Sequence, residues 1–288
     1  MGDLMKNVFK ILGIVVLTLF SFYYTDKMID LAKEKDPIMI EILEQKDKFV
    51  EEPVNAIIAE DYIIPGLAGI EIDVDKSYYK MKKLGEYNEN LYMFINETPE
   101  ISIENKFDKF IVSGNKNKRK IALIFKLNKL NNIEEILTIL NNNSTVGNFF
   151  VDGIIFEERI DILKQITDSN HFLGNLGYNN NYNKLTIKYT NSLIDKFVNY
   201  DHNYCLVEED NYEVLDICKN LNMYTVKGNK ISATNSYRDI KTKLSNGDMY
   251  ILEMNDYTID NLSMIIKYIK YKGYEIVSVN DLISEEKD

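Results

Sequence analysis

The chain has 288 residues, and 45 Asp and Glu against 34 Lys and Arg give it a net charge of −11. We expect no nucleic-acid partner, because phosphate binding needs clustered Lys and Arg. The chain contains only two His, two Cys and no Trp. This excludes any mechanism that needs three His, a four-Cys zinc site and a disulfide framework.

The first predicted element is a membrane-spanning helix over residues 8–24, VFKILGIVVLTLFSFYY. A helix of this length spans about 26 Å, slightly less than the hydrocarbon core of a bilayer. Lys10 can extend toward the headgroups, and Tyr23 and Tyr24 suit the far interface. No small-residue cleavage site follows, which favours an uncleaved signal anchor over a cleaved signal peptide or a buried core helix.

We assign residues 1–27 to this anchor and expect a single-pass cell-membrane protein. Lys residues flank the segment on both sides, so their count does not decide its orientation. The large domain that follows favours an extracellular position for the bulk of the chain.

Residues 28–52 are charged, with apolar side chains at helical spacing, and we predict a helical stalk. Pro37 interrupts the pattern, and Asp36 before it suits the N-cap of the helix that Pro37 opens. A short dimeric coiled coil is the alternative for this segment.

Residues 53–118 predict a small α+β module. Strands are predicted at residues 62–66, 69–74, 101–103 and 110–113, and a helix at 77–84 with Ser77 as its N-cap. Asp73 and Asp75 could hold a cation, but two solvated carboxylates beside a turn are the simpler interpretation.

Residues 119–288 alternate strand-like and helix-like patterns about seven times. Parallel neighbours need long crossover connections, so this alternation predicts a parallel sheet. We therefore predict an α/β fold, a deformed (β/α) barrel of about seven parallel strands, preceded by the small module, the stalk and the membrane helix. A doubly wound open sheet is the alternative.

Six segments of this last region resemble, in collinear order, the polysaccharide deacetylase (NodB homology) family. They read KIALIFK at 120–126, VGNFFVDG at 146–153, NHFLGNLGYNNNYNKL at 170–185, NYEVLDICKNLNMYTV at 211–226, GDMYILEM at 247–254 and KGYEIVSVNDLI at 272–283. The resemblance implies a deformed (β/α) barrel and an ancestry in the deacetylation of glycans.

The family's chemistry uses a divalent metal held by one Asp and two His, a second Asp as general base and a late His as general acid. The Asp pair and the Gly after it fall on Lys126, Leu127 and Asn128. The two metal His fall on Leu176 and Asn180. The Arg-Pro motif falls on about residues 204–208, beginning at Tyr204, and the acid His falls near Glu253.

These seven residues define a predicted vestigial pocket, for which we expect no catalytic residue, metal or cofactor. Lys126 and Glu253 are predicted to form a buried ion pair, because a buried charge needs a partner. An ammonium of Lys126 that extends to solvent and a catalytic Lys–Glu pair are the alternatives.

The remaining candidates have structural interpretations. His171 falls on a non-ligand position of the resemblance, and His202 is predicted to be a solvated or capping residue at a helix end. Cys205 and Cys218 could approach each other, but two buried free thiols are favoured.

We therefore expect a catalytically inactive, membrane-anchored protein that serves as a scaffold in the cell envelope and binds cell-wall glycan or an envelope protein. Two alternatives stay open. One is an active amide or ester hydrolase that uses other residues, and the other is a structural oligomerisation module driven by the stalk.

Overall fold

The structure is a computed structural model that describes residues 2–287, without the side chains of residues 2–11 and 26. The predicted role of Lys10 lies outside these described side chains. Eleven α-helices are present in the described residues: α1 Gly2–Glu34, α2 Pro37–Gln45, α3 Val74–Leu84, α4 Ile133–Asn142, α5 Ile155–Glu158, α6 Ile160–Asp168, α7 Lys184–Ile194, α8 Tyr212–Lys219, α9 Ser236–Lys243, α10 Asp256–Tyr271 and α11 Val279–Ile283.

The strands of the same described residues fall into a large and a small sheet. They are β1 Ile57–Ala59, β2 Tyr62–Ile64, β3 Gly69–Ile72, β4 Phe94–Glu97, β5 Phe110–Ile111, β6 Lys120–Leu127, β7 Asn148–Val151, β8 Phe172–Asn175, β9 Tyr204–Val207, β10 Tyr224–Lys227, β11 Asn229–Lys230, β12 Met249–Leu252 and β13 Glu275–Ile276.

The chain forms two compact units, of which the first contains Met1–Glu52 and Gly69–Glu97. Its helix α1 runs without a break through the predicted boundary between anchor and stalk. Within it, Leu12–Glu34 is long and apolar enough to cross a membrane, a criterion that a signal sequence also meets. The predicted cap at Asp36 is present: its carboxylate accepts the backbone N–H of Ile38 at 3.0 Å, and Pro37 opens α2.

A small apolar core holds this unit together. Its buried members come from α2, β3, α3 and the segment before β4: Ile38, Met39, Ile42, Ile72, Tyr78, Met81 and Tyr92. The predicted module at 53–118 is thereby divided, because residues 69–97 belong to this unit and residues 53–68 and 98–118 to the other.

Two details of that module were predicted wrongly. Helix α3 begins at Val74, and its N-cap is Asp73, whose carboxylate accepts the N–H of Lys76 at 2.9 Å; Ser77 is buried inside the helix and accepts the N–H of Met93. Residues 101–103 form no strand, because Ile101 donates its N–H to the side chain of Asn55 rather than to a neighbouring strand.

The second unit, Pro53–Ala68 and Thr98–Asp288, has an α/β fold with a curled, mostly parallel sheet, as predicted. The strand order is β1-β2-β5-β10-β9-β8-β7-β6-β12-β11, and β13 also pairs with β6. In the described chain, β1 with β2 is the one antiparallel pairing of this sheet.

The continuous segment of β10 and β11 links the two sides of the curled sheet. Residues 224–227 pair with β9, whereas Asn229 and Lys230, two residues further on, pair with β12. Gly228 joins the two halves, and a Cβ there would lie 2.6 Å from the side chain of Ile251. Only glycine therefore allows this close crossing.

The curled sheet has an outer and an inner apolar face, as its alternating side chains require. On β6, Ile121, Leu123, Phe125 and Leu127 belong to the outer cluster beneath the helices. Ala122 and Ile124 belong to the inner cluster, which α11 also enters. The strands therefore place alternate residues inside the barrel, and the residues at their carboxyl ends line its mouth.

Candidate functional site

Three charged residues meet at the carboxyl ends of the strands. Lys126 continues the inward alternation of β6, and its ammonium pairs with the Oε1 atom of Glu208, which directly follows β9. The Oε2 atom of Glu208 lies 2.8 Å from the ammonium of Lys230 on β11. We call Lys126, Glu208 and Lys230 the charge bridge.

The predicted partner of Lys126 was therefore wrong. Lys126 pairs with the carboxylate of Glu208 rather than that of Glu253. In a curled sheet, residues at the ends of strands that are not neighbours can meet across the interior. Glu253 instead lies with Lys126 and Asn128 around a cavity of about 310 Å³, whose lining is completed by Lys129, Asn131, Leu252 and Met254.

Two opposing effects act on the carboxyl group of Glu208. Burial by itself raises its pKa, but hydrogen bonds from Lys126 and Lys230 outweigh burial, and the pKa is lowered from its ordinary value. The same pairing raises the pKa of Lys230. The carboxylate of Glu208 is thus ionised at neutral pH, and two ammonium groups lie against it.

The loop after β8 carries the two positions at which the resemblance implies metal ligands. Leu176 is half-buried against the inner apolar cluster, and Asn180 is exposed, with its Oδ1 atom 3.4 Å from the Nδ2 atom of Asn128. The buried carboxylate of Asp152 fixes this loop, because it accepts the backbone N–H groups of Asn179 at 2.6 Å and Asn180 at 2.7 Å.

Two residues of the predicted pocket lie elsewhere. Leu127 points outward and is fully buried in the outer cluster. Tyr204 begins β9 and is therefore at the amino end of the barrel, where its hydroxyl donates to Oδ1 of Asn280 at 2.6 Å. Only Lys126, Asn128, Asn180 and Glu253 are thus brought to the polar part of the mouth, beside Leu176.

These side chains do not fit the divalent metal that the fold implies. An ammonium has no lone pair to donate, and a leucine side chain has no donor atom. Across residues 2–287, as far as their side chains are described, no group of three or more His, Cys, Asp and Glu could hold a metal ion.

Both histidines lie away from the charge bridge. His171 is buried, its Nδ1 atom accepts the N–H of Gly147 at 3.1 Å, and burial lowers its pKa to about 4. His202 lies in the loop before β9, where its ring contacts Phe107 and Tyr224.

The expectation of two free thiols was wrong. Cys205 and Cys218 form a disulfide, with their Cα atoms 6.6 Å apart. The physical reason is that β9 and α8 are consecutive elements of one strand–helix unit, so the buried face of the helix lies directly on its own strand.

Sequence reasoning missed Glu208 as a partner, and it missed Lys230 and Asp152 altogether. A signal for Glu208 and Asp152 was nonetheless present: each carboxylate directly follows a buried strand, Tyr204–Val207 for Glu208 and Asn148–Val151 for Asp152. In a parallel sheet such residues gather at one edge.

The curled parallel sheet defines a protein with the polysaccharide deacetylase fold, that of carbohydrate esterase family 4, and the predicted resemblance is confirmed at this level. PdaA of Bacillus subtilis, a family 4 carbohydrate esterase, superposes with a TM-score of 0.53 and 19% identity, over 80% of this chain and 97% of that one. No protein-family model matches the chain.

More particularly, the chain is similar to BA3943 of Bacillus anthracis, described as a CE4 family pseudoenzyme. The TM-score is 0.66 at 22% identity, over 88% of this chain and 97% of that one. A BA3943 mutant described as having restored enzymatic activity gives a TM-score of 0.67 at 22% identity, over 88% and 100% of the two chains. In sequence, the chain is 26% identical over 278 residues to the uncharacterized protein YlxY of Bacillus subtilis (strain 168), which covers 90% of this chain and 87% of that protein.

Proposed function

We propose that this protein is a catalytically inactive relative of the polysaccharide deacetylases, held in the cell membrane by α1, which binds cell-wall glycan at the mouth of its barrel. The observation that carries the proposal is the charge bridge: an ion-paired ammonium, Lys126, stands in the mouth where the family places a carboxylate.

The loss of activity follows from the chemistry of the mouth. The ammonium of Lys126 is ion-paired with Glu208, and an ammonium offers no lone pair with which to accept a proton or bind a cation. Leu176 supplies no ligand either. The description of BA3943 as a pseudoenzyme supports the same interpretation for this chain.

The extracellular position is supported by the disulfide between Cys205 and Cys218. Disulfides persist in oxidising compartments and are rare in the cytosol. An apolar helix of the length of α1 suits the anchor.

The glycan as ligand is supported by the cavity beside the charge bridge. Asn128 and Asn131 offer amide donors and acceptors, and Glu253 offers acceptors, which together suit the hydroxyl and amide groups of a sugar. PdaA, which shares the fold, is a carbohydrate esterase.

The test uses the full chain in detergent, with insoluble peptidoglycan as the probe. We expect sedimentation with the glycan, no stoichiometric zinc binding by calorimetry and no release of acetate. Asn128→Ala together with Glu253→Ala should reduce retention about tenfold, the cost of one or two hydrogen bonds. Tyr271→Ala is the control, since this exposed residue ends α10 near the amino ends of the strands.

The alternatives give different results in the same experiment. Stoichiometric zinc binding with acetate release would overturn the inactive state and favour the hydrolase. A chain that stays in the supernatant would overturn glycan binding and favour a structural or protein-binding module.

A further inference from the structure

Helix α3 is strongly basic in an acidic chain. Its eleven residues contain four lysines and one aspartate, whereas the whole chain has a charge of −11. The lysines are Lys76, Lys80, Lys82 and Lys83. The opposite side of the helix, with Ser77, Tyr78 and Met81, is buried in the core of the first unit. The positive charge is therefore confined to the outer face.

The end of α1 holds this helix. The ammonium of Lys33 pairs with Asp75 and lies 5.5 Å from the ring centre of Tyr78 and 5.1 Å from that of Tyr79. Both helices belong to the same compact unit. The outer face of α3 is thus fixed relative to the segment that enters the bilayer.

The distance along α1 brings α3 within electrostatic reach of the headgroups. Lys33 lies nine positions after Tyr24, the last residue of the predicted apolar span, and this step rises about 14 Å along the helix. The headgroup layer takes up roughly 5–7 Å of this distance. The remaining gap of roughly 7–9 Å is close to the Debye length of about 8 Å at physiological ionic strength, and extended lysine side chains reduce it further.

Two of the lysines have no carboxylate of their own. Lys76 pairs with Asp73 at 2.9 Å and Lys82 pairs with Asp36. Among the described residues, Lys80 and Lys83 form no ion pair within 4.0 Å. They flank the exposed side chains of Tyr79, 60% exposed, and Leu84, 53% exposed. Unpaired lysines beside an exposed aromatic ring are typical of a surface that meets lipid headgroups.

We infer that α3 binds the acidic phospholipid headgroups of the same bilayer that holds α1, through Lys80, Lys83 and Tyr79. The partner is an anionic lipid surface, because each lysine near such a surface contributes favourable binding that a neutral bilayer cannot provide. This inference rests on the proposed membrane anchor. It would fix the first unit flat against the membrane rather than free to rotate about α1.

The experiment uses the absence of tryptophan from the sequence. The full chain carrying Tyr79→Trp is reconstituted in vesicles of phosphatidylcholine, with or without about 30% phosphatidylglycerol, and emission is quenched with neutral acrylamide. We expect quenching to fall about twofold in the anionic vesicles and to return in about 0.5 M NaCl, because salt screens the contact.

Charge reversal supplies the decisive comparison. Lys80→Glu with Lys83→Glu should lower the docking equilibrium at least about tenfold, so that quenching no longer depends on lipid charge. The matched control is Lys184→Glu with Lys188→Glu on α7, an equal change of charge on exposed residues of the other unit. Equal quenching in both vesicle types, or protection that the α3 variant retains, would overturn the inference.

Failure of the anchor itself is recognised separately. If the unmodified chain is extracted from either vesicle type by alkaline carbonate, α1 is not inserted and the proposed anchoring is wrong. If the chain resists extraction but quenching does not depend on lipid charge, the membrane anchor is supported and the proposed contact of α3 with anionic headgroups is wrong.

Discussion

The two ends of the curled sheet differ in how their polar side chains are surrounded. At the amino ends, the fully buried Asn148 has all its polar atoms satisfied: its Nδ2 atom donates to the carbonyls of Leu123 at 3.0 Å and Val277 at 3.1 Å, and its Oδ1 atom accepts the N–H of Val279 at 2.6 Å. At the carboxyl ends, partly buried charged side chains meet beside a cavity. Stability is therefore concentrated at one end, so that the chemistry of the other end can change without loss of the fold.

The strongest test of this contrast removes the same side chain at each end. Asn148→Ala should lower the free energy of unfolding by about 3–4 kcal/mol, because it leaves two carbonyls and one N–H buried without partners. Asn128→Ala, at the mouth, should cost less than about 1 kcal/mol. Denaturant unfolding of both variants measures the difference, and equal losses would contradict the contrast.

A pH effect of intermediate size should also arise at the amino end. The lowered pKa of His171, about 4, means that the unfolded chain binds a proton that the folded chain excludes. Stability should therefore fall as the pH is lowered from about 6.5 to about 4, by on the order of 2 kcal/mol.

Unfolding curves across this pH range check that expectation. His171→Gln, which cannot titrate, should flatten the dependence, whereas the same change at the other histidine, His202→Gln, should leave the contribution of His171 in place. A wild-type slope retained by His171→Gln would show that another group is responsible.

The smallest effect is expected at the charge bridge. A double-mutant cycle of Lys126→Met and Glu208→Gln should give a coupling of about 1–2 kcal/mol, since both side chains are mostly shielded from water. The exposed pair Arg159 and Glu134 should give a clearly smaller coupling in a matched cycle of Arg159→Met and Glu134→Gln, because water screens the two charges.

The pH dependence of this coupling has a fixed sign. Because the pKa of Glu208 is lowered in the fold, its contribution is present above the ordinary carboxyl value of about 4.3 and is lost as the pH falls through the folded value. A coupling that stays unchanged as the pH is lowered through the range in which Glu208 takes up its proton would mean that Glu208 is not the ionised partner of Lys126.

The sequence was sufficient for the alternation of strands and helices along residues 119–288 and for the class of fold. Long apolar runs such as residues 121–125 and glycines at strand ends are local signals, and six collinear segments carried the resemblance to the esterases. Helix ends were less accessible: α3 was expected to begin at Ser77 but begins at Val74, because several nearby residues can cap a helix and local patterns do not show which of them does.

Pairings across the barrel could not be predicted in the same way. That Lys126 meets Glu208 depends on the curl of the sheet and the crossing at Gly228, neither of which is a local property. The sequence of β6 did allow one further prediction, because successive residues of a strand face opposite sides of the sheet. Lys126 and Leu127 could therefore not both line the same interior.

The carboxylate of Asp152 has a consequence for how any molecule would be received at the mouth. It ties the main chain of Asn179 and Asn180 to the end of a central strand, with both residues in the left-handed conformation. The carboxylate of Asp152 therefore holds this loop at the barrel mouth in one conformation before a ligand binds. A ligand that binds there would lose little affinity to the ordering of this loop. Its selectivity would come from complementarity to a preformed surface rather than from a change in the loop.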